Sequence, residues 1–434
     1  MVFSKEQKSW AFYDWANSVY PLVITSAIFP IFYEAVSTTK DAAGNVISDT
    51  VLFFGMEFTN TVLISYISSF IFLLVSLCMP ILSGVADFYG KKRSFLIVSF
   101  LIGATGCAGL FFFDINNSEM SMLYYILAGV GFWMSLVFYN AYLPQIAPIQ
   151  LQDRLSARGY SLGYLGSSLL LIACLVGIMV LDVPAKYAFL LTAIWWLGFG
   201  FYSVLRLPKS VKNTNVGRPL KHGWDQLKSV WHQLRNLPVL KKYLRAFFVY
   251  SMGVQTVMIM AVYFGAKEIN WPDSKAQTTG LIVSVLLIQF IAIGGSVLLS
   301  KLSAKKGNVF ALQVVLFAWI GLCVSALWVT EPLHFYIIAA FVGLVMGGVQ
   351  SLSRSTYSKL LPQECEDHTA FFSFYDLAEK IGIIIGTFSY GYIESFTGSM
   401  RNSIFALIVF FIAGYFLLRS VQKENSKKLN PYNG

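Results

Sequence analysis

Charge is scarce in this chain: Asp, Glu, Lys and Arg make up 12% of its 434 residues, against 56% hydrophobic. Ordinary soluble domains carry about 25% charged residues, so a fully hydrated surface is excluded. A mean hydropathy of +0.63 places the chain in a bilayer. Acids are scarcer than bases, 22 against 32, for a net charge of +10. Cysteine is equally thin. Cys78, Cys107, Cys174 and Cys323 fall inside apolar runs and Cys365 in a loop, a scatter that supports no disulfide framework or CxxC metal site. The four histidines, His222, His232, His334 and His368, form no cluster, which argues against a metal centre. No phosphate-binding glycine loop and no sizeable soluble stretch is present, so no cofactor is expected and an integral-membrane enzyme is disfavoured. A short signal peptide is missing too: the first apolar stretch runs on past Pro21 and reads as a retained span.

What the chain has instead is long apolar runs, each near the roughly 20 residues needed to cross a bilayer. They occupy about 10–36, 61–83, 94–113, 121–147, 158–181 and 187–206, then 243–266, 278–300, 309–330, 333–353, 370–396 and 402–419. The expected fold is an all-α membrane protein of twelve transmembrane helices in two six-helix bundles, 1–206 and 243–434, joined by a basic linker, 207–242. The stretch from Arg206 to Arg245 holds ten Lys or Arg and one acid, Asp225. That is the mark of a cytoplasmic loop. Inside it Trp224, Leu227, Trp231 and Leu234 recur at helical spacing, the pattern of an amphipathic helix in the headgroup layer. Beside two membrane spans, lipid and not nucleic acid is the expected anionic partner. With both termini inside, 26 cations lie on inner segments and five outside, Lys40, Lys186, Lys267, Lys275 and Arg401. This asymmetry predicts cytoplasmic N- and C-termini; a cell inner membrane and a monomer are separate expectations.

The halves repeat. At an offset of 214, Lys91 and Lys92 fall on Lys305 and Lys306, and Tyr160 and Pro144 fall near Tyr375 and Pro362, as in a parallel duplication about a pseudo-two-fold axis. Between spans two and three, the run Ser83 to Arg93, SGVADFYGKKR, resembles the G-x-L-x-D-R-x-G-R-K signature of the major facilitator superfamily. Asp87, Gly90, Lys91 and Lys92 stand on the signature's positions; Ser83 and Phe88 depart from it. Gly90 permits a tight reversal, the cations hold the loop inside, and Asp87 can cap a helix or pair when the halves meet. Asp87, Gly90 and Lys91 are therefore the expected gating motif. Segments 10–18 (WAFYDWANS), 347–355 (GGVQSLSRS) and 371–376 (FFSFYD) are similar to the vacuolar amino-acid effluxer branch of that superfamily. The resemblance implies a twelve-helix transporter and amino-acid export.

The residues themselves point to a pathway. In span one Asp14, Asn17 or Ser18, Pro21 and Thr25 share a helical face, which must meet protein or water and not lipid. Span ten carries Gly343, Gly347, Gln350, Arg354 and Ser358 in the same way; the glycines alone would serve close helix packing, and Arg354 would equally suit snorkelling to the interface. Spans four and seven add Trp133, Tyr139, Asn140, Tyr142, Tyr250, Gln255 and Tyr263. The expected substrate-facing set is Tyr13, Asp14, Asn17, Asn140, Gln255, Gln350, Arg354 and Tyr375. In span eleven Asp376 and Lys380 stand at the favourable helical spacing for an ion pair, which leaves Glu379 without a partner in its helix. Glu379 and Asp14 are the proton-coupling candidates; each is also open to a structural pairing with Arg354 or Arg158. A zwitterion would use Asp14 or Glu379 for its ammonium and Arg354 for its carboxylate. A sugar or peptide fragment suits the Tyr and Trp content as well, and a non-transporting receptor is disfavoured by the repeat.

Overall fold

The computed structural model describes residues 3–40, 46–209, 219–362 and 367–429. The first crossing is made in three pieces: α1 (Lys5–Asn17), a π-helical stretch Tyr20–Ile28, and α2 (Phe29–Ser37). Ser4 starts it with a reciprocal cap on Gln7, which satisfies free N–H groups of the first turn. Pro21 has no N–H to give, so the ladder widens where it enters. This shifts the helical register. Asp14 and Asn17 are buried while Thr25 is exposed, so the expected polar stripe from Asp14 to Thr25 is cut in two at the proline.

The loop that follows folds into two short antiparallel hairpins, β1 (Thr39–Lys40) with β2 (Val46–Ser48) and β3 (Thr50–Phe53) with β4 (Met56–Thr59). Phe54 donates its N–H to Glu119 at 2.7 Å, which ties the second hairpin to the start of a later helix. The helices α3 (Asn60–Phe88), α4 (Lys92–Gly109), α5 (Ser118–Asn140), α6 (Leu143–Ile146), α7 (Ile149–Val180) and α8 (Lys186–Val204) complete the first half. After α9 (Pro219–Asn236) come α10 (Pro238–Glu268), α11 (Ser274–Lys306), α12 (Asn308–Ala326), α13 (Pro332–Leu360), α14 (His368–Thr397) and α15 (Met400–Leu429). Among the described residues eleven helical stretches are long and apolar enough to cross a membrane. The twelfth crossing is α14, whose 30 residues include Asp376, Glu379 and Lys380.

The duplication reaches the helix boundaries. Asn60 and Ser274, Ser118 and Pro332, and Lys186 and Met400 begin equivalent helices, each pair 214 positions apart as the sequence offsets predict. The turns after α3 and α11 both hinge on a left-handed glycine, Gly90 with φ +59° and Gly307 with φ +87°. At such a φ a side chain would be strained. Within the second half α13 lies close against α11. A Cβ at Gly347 would sit 2.1 Å from the Ala292 carbonyl oxygen and one at Gly343 2.5 Å from that of Ile288, so these glycines serve close packing.

The basic middle stretch is divided. Lys241, Lys242 and Arg245 lie in the first turns of α10, which begins at Pro238, and residues 210–218 are outside the described part. The amphipathic stretch forms α9, and its protein-facing side was not specified by the spacing of its apolar residues. Gly223, Val230 and Leu234 are buried, whereas Trp224 and Trp231 are about half exposed. A Cβ at Gly84 of α3 would come within 2.7 Å of the Gly223 oxygen, so α9 docks under α3 and turns its tryptophans outward.

Candidate functional site

The even number of crossings puts the start of α1 and the end of α15 on one face, called here the terminal side. On that side of mid-membrane, helices from both halves converge on one cation. Arg354 of α13 is 2% exposed and its Nη2 lies 3.1 Å from Oδ2 of Asp14 in α1. Every arm of the guanidinium has a partner: Nε donates to the Ser156 hydroxyl at 3.0 Å, Nη2 also to the Ser156 carbonyl at 3.0 Å, and Nη1 to Asn140 Oδ1 at 3.4 Å. Tyr139 donates to Asp14 at 2.9 Å. The rings of Trp10 and Tyr160 flank the cation at 4.7 and 4.2 Å, contacts that are stronger out of water. Gly159 leaves the space. A Cβ there would stand 2.3 Å from Asp14 Oδ2 and 3.0 Å from Arg354 Nη2.

This geometry bears on two readings that the sequence left open. Arg354 does not snorkel; it is enclosed and crosses between the halves. Asp14 and Arg354 face each other, so in this state neither turns a charge toward a substrate. Asn17 is buried beside them, Tyr13 packs on Tyr139 at 4.9 Å between centroids, and Tyr375 stacks on Phe247 at 4.0 Å in an aromatic cluster of the second half. The structure thus gathers Asp14, Asn140 and Arg354 into one centre and leaves Tyr375 outside it.

A second group lies nearer mid-membrane. Lys380 is fully buried and closes on Asp376 at 2.6 Å, the pairing expected from their spacing. It also reaches Glu379 at 3.5 Å, so Glu379 has a partner in its helix after all: three flexible N–H donors let one lysine serve two neighbouring acids. Gln255 of α10 donates to Glu379 Oε1 at 2.7 Å. Glu379 nevertheless keeps 18% of its side chain exposed, and Gln255 and Gln350 are only partly buried. Gln350 takes a short hydrogen bond from Tyr164 of α7. From the first half, Trp133 lies 3.8 Å from Lys380 Nζ. The sum is two carboxylates, one ammonium and two amides, with Glu379 and the amides still accessible.

Of the residues expected to form the gating motif, Asp87 meets the opposite half. Ala370 in the first turn of α14 donates its N–H to Asp87 Oδ2 at 2.9 Å, so the carboxylate caps a helix of the opposite half where N–H groups are free. Gly90 makes the turn. Lys91 lies 5.8 Å from the Tyr89 ring, and among the described residues it has no ion pair with the other half. Other seam contacts were not anticipated: Lys359 to Asp153 at 2.5 Å, Asn308 to Asp153 at 2.7 Å, Ser156 to the Ser351 carbonyl at 2.8 Å, and Ser161 with Ser296 at 2.7 Å. The sequence signal for them was faint, a run of small residues with one acid at the start of span five. All of these bonds lie on the terminal side, which is closed in this structure.

Residues 4–430 match the family described as Vacuole effluxer Atg22 like. The chain is 28% identical over 433 residues to the uncharacterized MFS-type transporter YxiO of Bacillus subtilis, covering 98% of this chain and 96% of that one. It is 24% identical over 402 residues to autophagy-related protein 22 of Vanderwaltozyma polyspora, covering 80% and 75% respectively. In three dimensions it is similar to the E. coli fucose:proton symporter, with a TM-score of 0.67, 14% identity and coverage of 96% and 97%. A structure of a major facilitator transporter in the outward conformation gives 0.68 at 13% identity, with the same coverage. Those two likenesses concern the fold. Twelve crossings, a duplicated bundle and a family match along nearly its whole length make this chain a multi-pass membrane transporter of the major facilitator type, and it belongs to the Vacuole effluxer Atg22 like family.

Proposed function

We propose that the protein is a secondary transporter that exports a small amino acid by alternating access, with the units 1–206 and 243–434 rocking about a central site and the linker 207–242 on the cytoplasmic side. The observation that carries this reading is Glu379, a carboxylate left partly open in mid-membrane beside Gln255 and Gln350. An acid-rich group of two carboxylates against one lysine suits a substrate ammonium or a proton. In this state Gln255, Glu379 and Gln350 face the substrate, while Asp14, Asn140 and Arg354 hold the terminal side shut. When that side opens, the pair separates, and Arg354 becomes available to a carboxylate and Asp14 to an ammonium. Tyr13, Asn17 and Tyr375 then act as walls of the opened cavity.

The sugar alternative draws less support, because the tyrosines that would stack on it are spent on packing. Tyr250 bonds Ser353 at 2.7 Å, and Tyr375 lies against Phe247. The family's description as a vacuole effluxer favours export. The test is a panel of labelled amino acids in proteoliposomes under an imposed pH difference. Wild type should concentrate one or more of them, and Glu379→Gln should abolish that accumulation while retaining counterflow. Transport of no amino acid removes the substrate assignment; accumulation undiminished in Glu379→Gln removes the coupling role.

A further inference from the structure

The two amides beside Glu379 are turned in opposite senses by their neighbours. Gln255 of α10 points its nitrogen at the Glu379 carboxylate, 2.7 Å away. An ionised carboxylate only accepts, so the end that Gln255 presents is its carbonyl oxygen. Gln350 of α13 is set the other way. Its oxygen takes the short hydrogen bond from the Tyr164 hydroxyl, and its nitrogen rests on Met258 Sδ at 3.2 Å in an exposed contact. A thioether has no hydrogen to give and accepts weakly, so the N–H groups of Gln350 are free to take a better acceptor. Met258 follows Gln255 by three residues on α10, where side chains one turn apart root about 5–6 Å from each other. An acceptor end and a donor end therefore stand within reach of one small molecule.

We propose that, while the terminal side is closed, these amides sort the two ends of an α-amino acid: Gln255 Oε1 and Glu379 take the ammonium, and Gln350 Nε2 takes the carboxylate in place of the sulfur contact. The assignment deepens the amino-acid reading of this group and rests on it. Lys380 closes on Asp376 at 2.6 Å but on Glu379 only at 3.5 Å. An incoming ammonium thus replaces the weaker contact and leaves the tighter pair intact. From the first half, Trp133 lies 3.8 Å from Lys380 Nζ and backs the lysine in that pair. The ligand carboxylate meets neutral donors and no charge, because Arg354, one turn further along α13, is closed on Asp14. An amine without the carboxylate keeps the Glu379 contact and loses the Gln350 one. A carboxylate without the ammonium faces Glu379 and Asp376 uncompensated, and so does a second carboxylate on the ligand's side chain. The ligand class is an α-amino acid whose side chain is not acidic.

The test measures binding to the full protein in lipid nanodiscs. The probes are L-alanine, L-serine and L-leucine, the amines that lack their carboxylates (ethylamine, ethanolamine and 3-methylbutylamine), and L-glutamate. Wild type should bind at least one of the three amino acids, and bind the matching amine about tenfold more weakly, the worth of a hydrogen bond to a charged group. Glutamate should bind more weakly than that amino acid. Gln350→Leu should bring the amino acid down to the affinity of its amine while the amine stays within about twofold of wild type. Gln350→Glu should reverse the order, with the amine the tighter ligand. Gln255→Leu should weaken both alike, since its oxygen faces the ammonium they share. Retained amine binding reports an intact fold. Should one Gln350 variant melt early, the other decides; should both, the wild-type ratio of amino acid to amine decides. Wild type that binds none of the three amino acids overturns the amino-acid reading together with this assignment. An amine or glutamate that binds wild type as tightly as the amino acid does, or a preference for the amino acid that survives in both Gln350 variants, overturns the assignment alone.

Discussion

At the scale of single residues, the pairing of Asp14 with Arg354 governs the terminal side. A buried ion pair contributes modestly when intact, because desolvation offsets the attraction, but removing one partner strands the other charge at a cost of about 3–5 kcal/mol. Asp14→Asn leaves Arg354 in that position among Trp10, Tyr139 and Tyr160. The closed state should lose occupancy, and labelling of Ala157→Cys from the terminal side should accelerate at least tenfold. Gly159→Ala should act in the same direction without touching a charge, since its methyl group would stand 2.3 Å from Asp14 Oδ2. If Gly159→Ala labels at the wild-type rate, the seam yields without disturbing the pair and Asp14 is not the latch. Both charges were legible in the sequence as misfits within apolar spans. Their partnership was open as one of two pairings, with Arg354 or Arg158, and the sequence could not choose, because 340 positions separate Asp14 from Arg354 and no local periodicity carries a contact of that range. Glu379 shows the converse error: helical spacing assigned Lys380 to Asp376 correctly, yet the adjacent acid shares the same ammonium by side-chain flexibility alone.

At the scale of elements, helix ends and interruptions were the parts that sequence spacing conveyed least evenly. The signature between α3 and α4 was legible in full chemical terms: a left-handed Gly90 for the turn and Asp87 free to cap. What it caps became known only when α14 arrived from the other half. Exposed or partly exposed carboxylates at helix N-termini contribute about 0.3–1 kcal/mol. Asp87→Asn should therefore lower the transport rate severalfold while leaving the melting temperature within a few degrees of wild type, as measured by counterflow and scanning fluorimetry on one preparation. Unchanged counterflow would reduce Asp87 to a turn residue. The first crossing shows where periodicity fails, and α9 what it does not register. Pro21 signals a break but not that the ladder would widen into a π-helical stretch, which carries Thr25 off the face of Asp14. In α9 the glycine at 223 decides the docking face by allowing contact with Gly84, a close approach that counting apolar residues cannot register.

At the scale of the whole molecule, twelve runs, a basic middle and an offset of 214 made the duplicated architecture readable from end to end. The hairpins between α2 and α3 were not, being short segments in a loop without strong alternation. Nor was the conformational state, which depends on which of two sets of inter-half contacts is formed and leaves no mark on composition. In this structure the inter-half hydrogen bonds cluster on the terminal side, from Asp87 with Ala370 to Asp153 with Lys359. If the halves rock, all of these must part in every cycle. Ser161 of α7 and Ser296 of α11 offer a direct test, because their hydroxyl oxygens lie 2.7 Å apart across the seam. A disulfide needs sulfurs about 2.05 Å apart and Cβ atoms about 3.5–4.5 Å apart, a geometry that two serines in hydrogen-bond contact approach without backbone movement. In a background lacking the natural cysteines, Ser161→Cys with Ser296→Cys should transport when reduced. On oxidation it should stop, with activity returning when a thiol reductant is added. Each single variant should be indifferent to the oxidant, which separates locking from oxidative damage. Full transport by the cross-linked protein, with the bond verified by mass spectrometry, would mean that substrate crosses without the seam opening, and the rocking cycle would have to be abandoned.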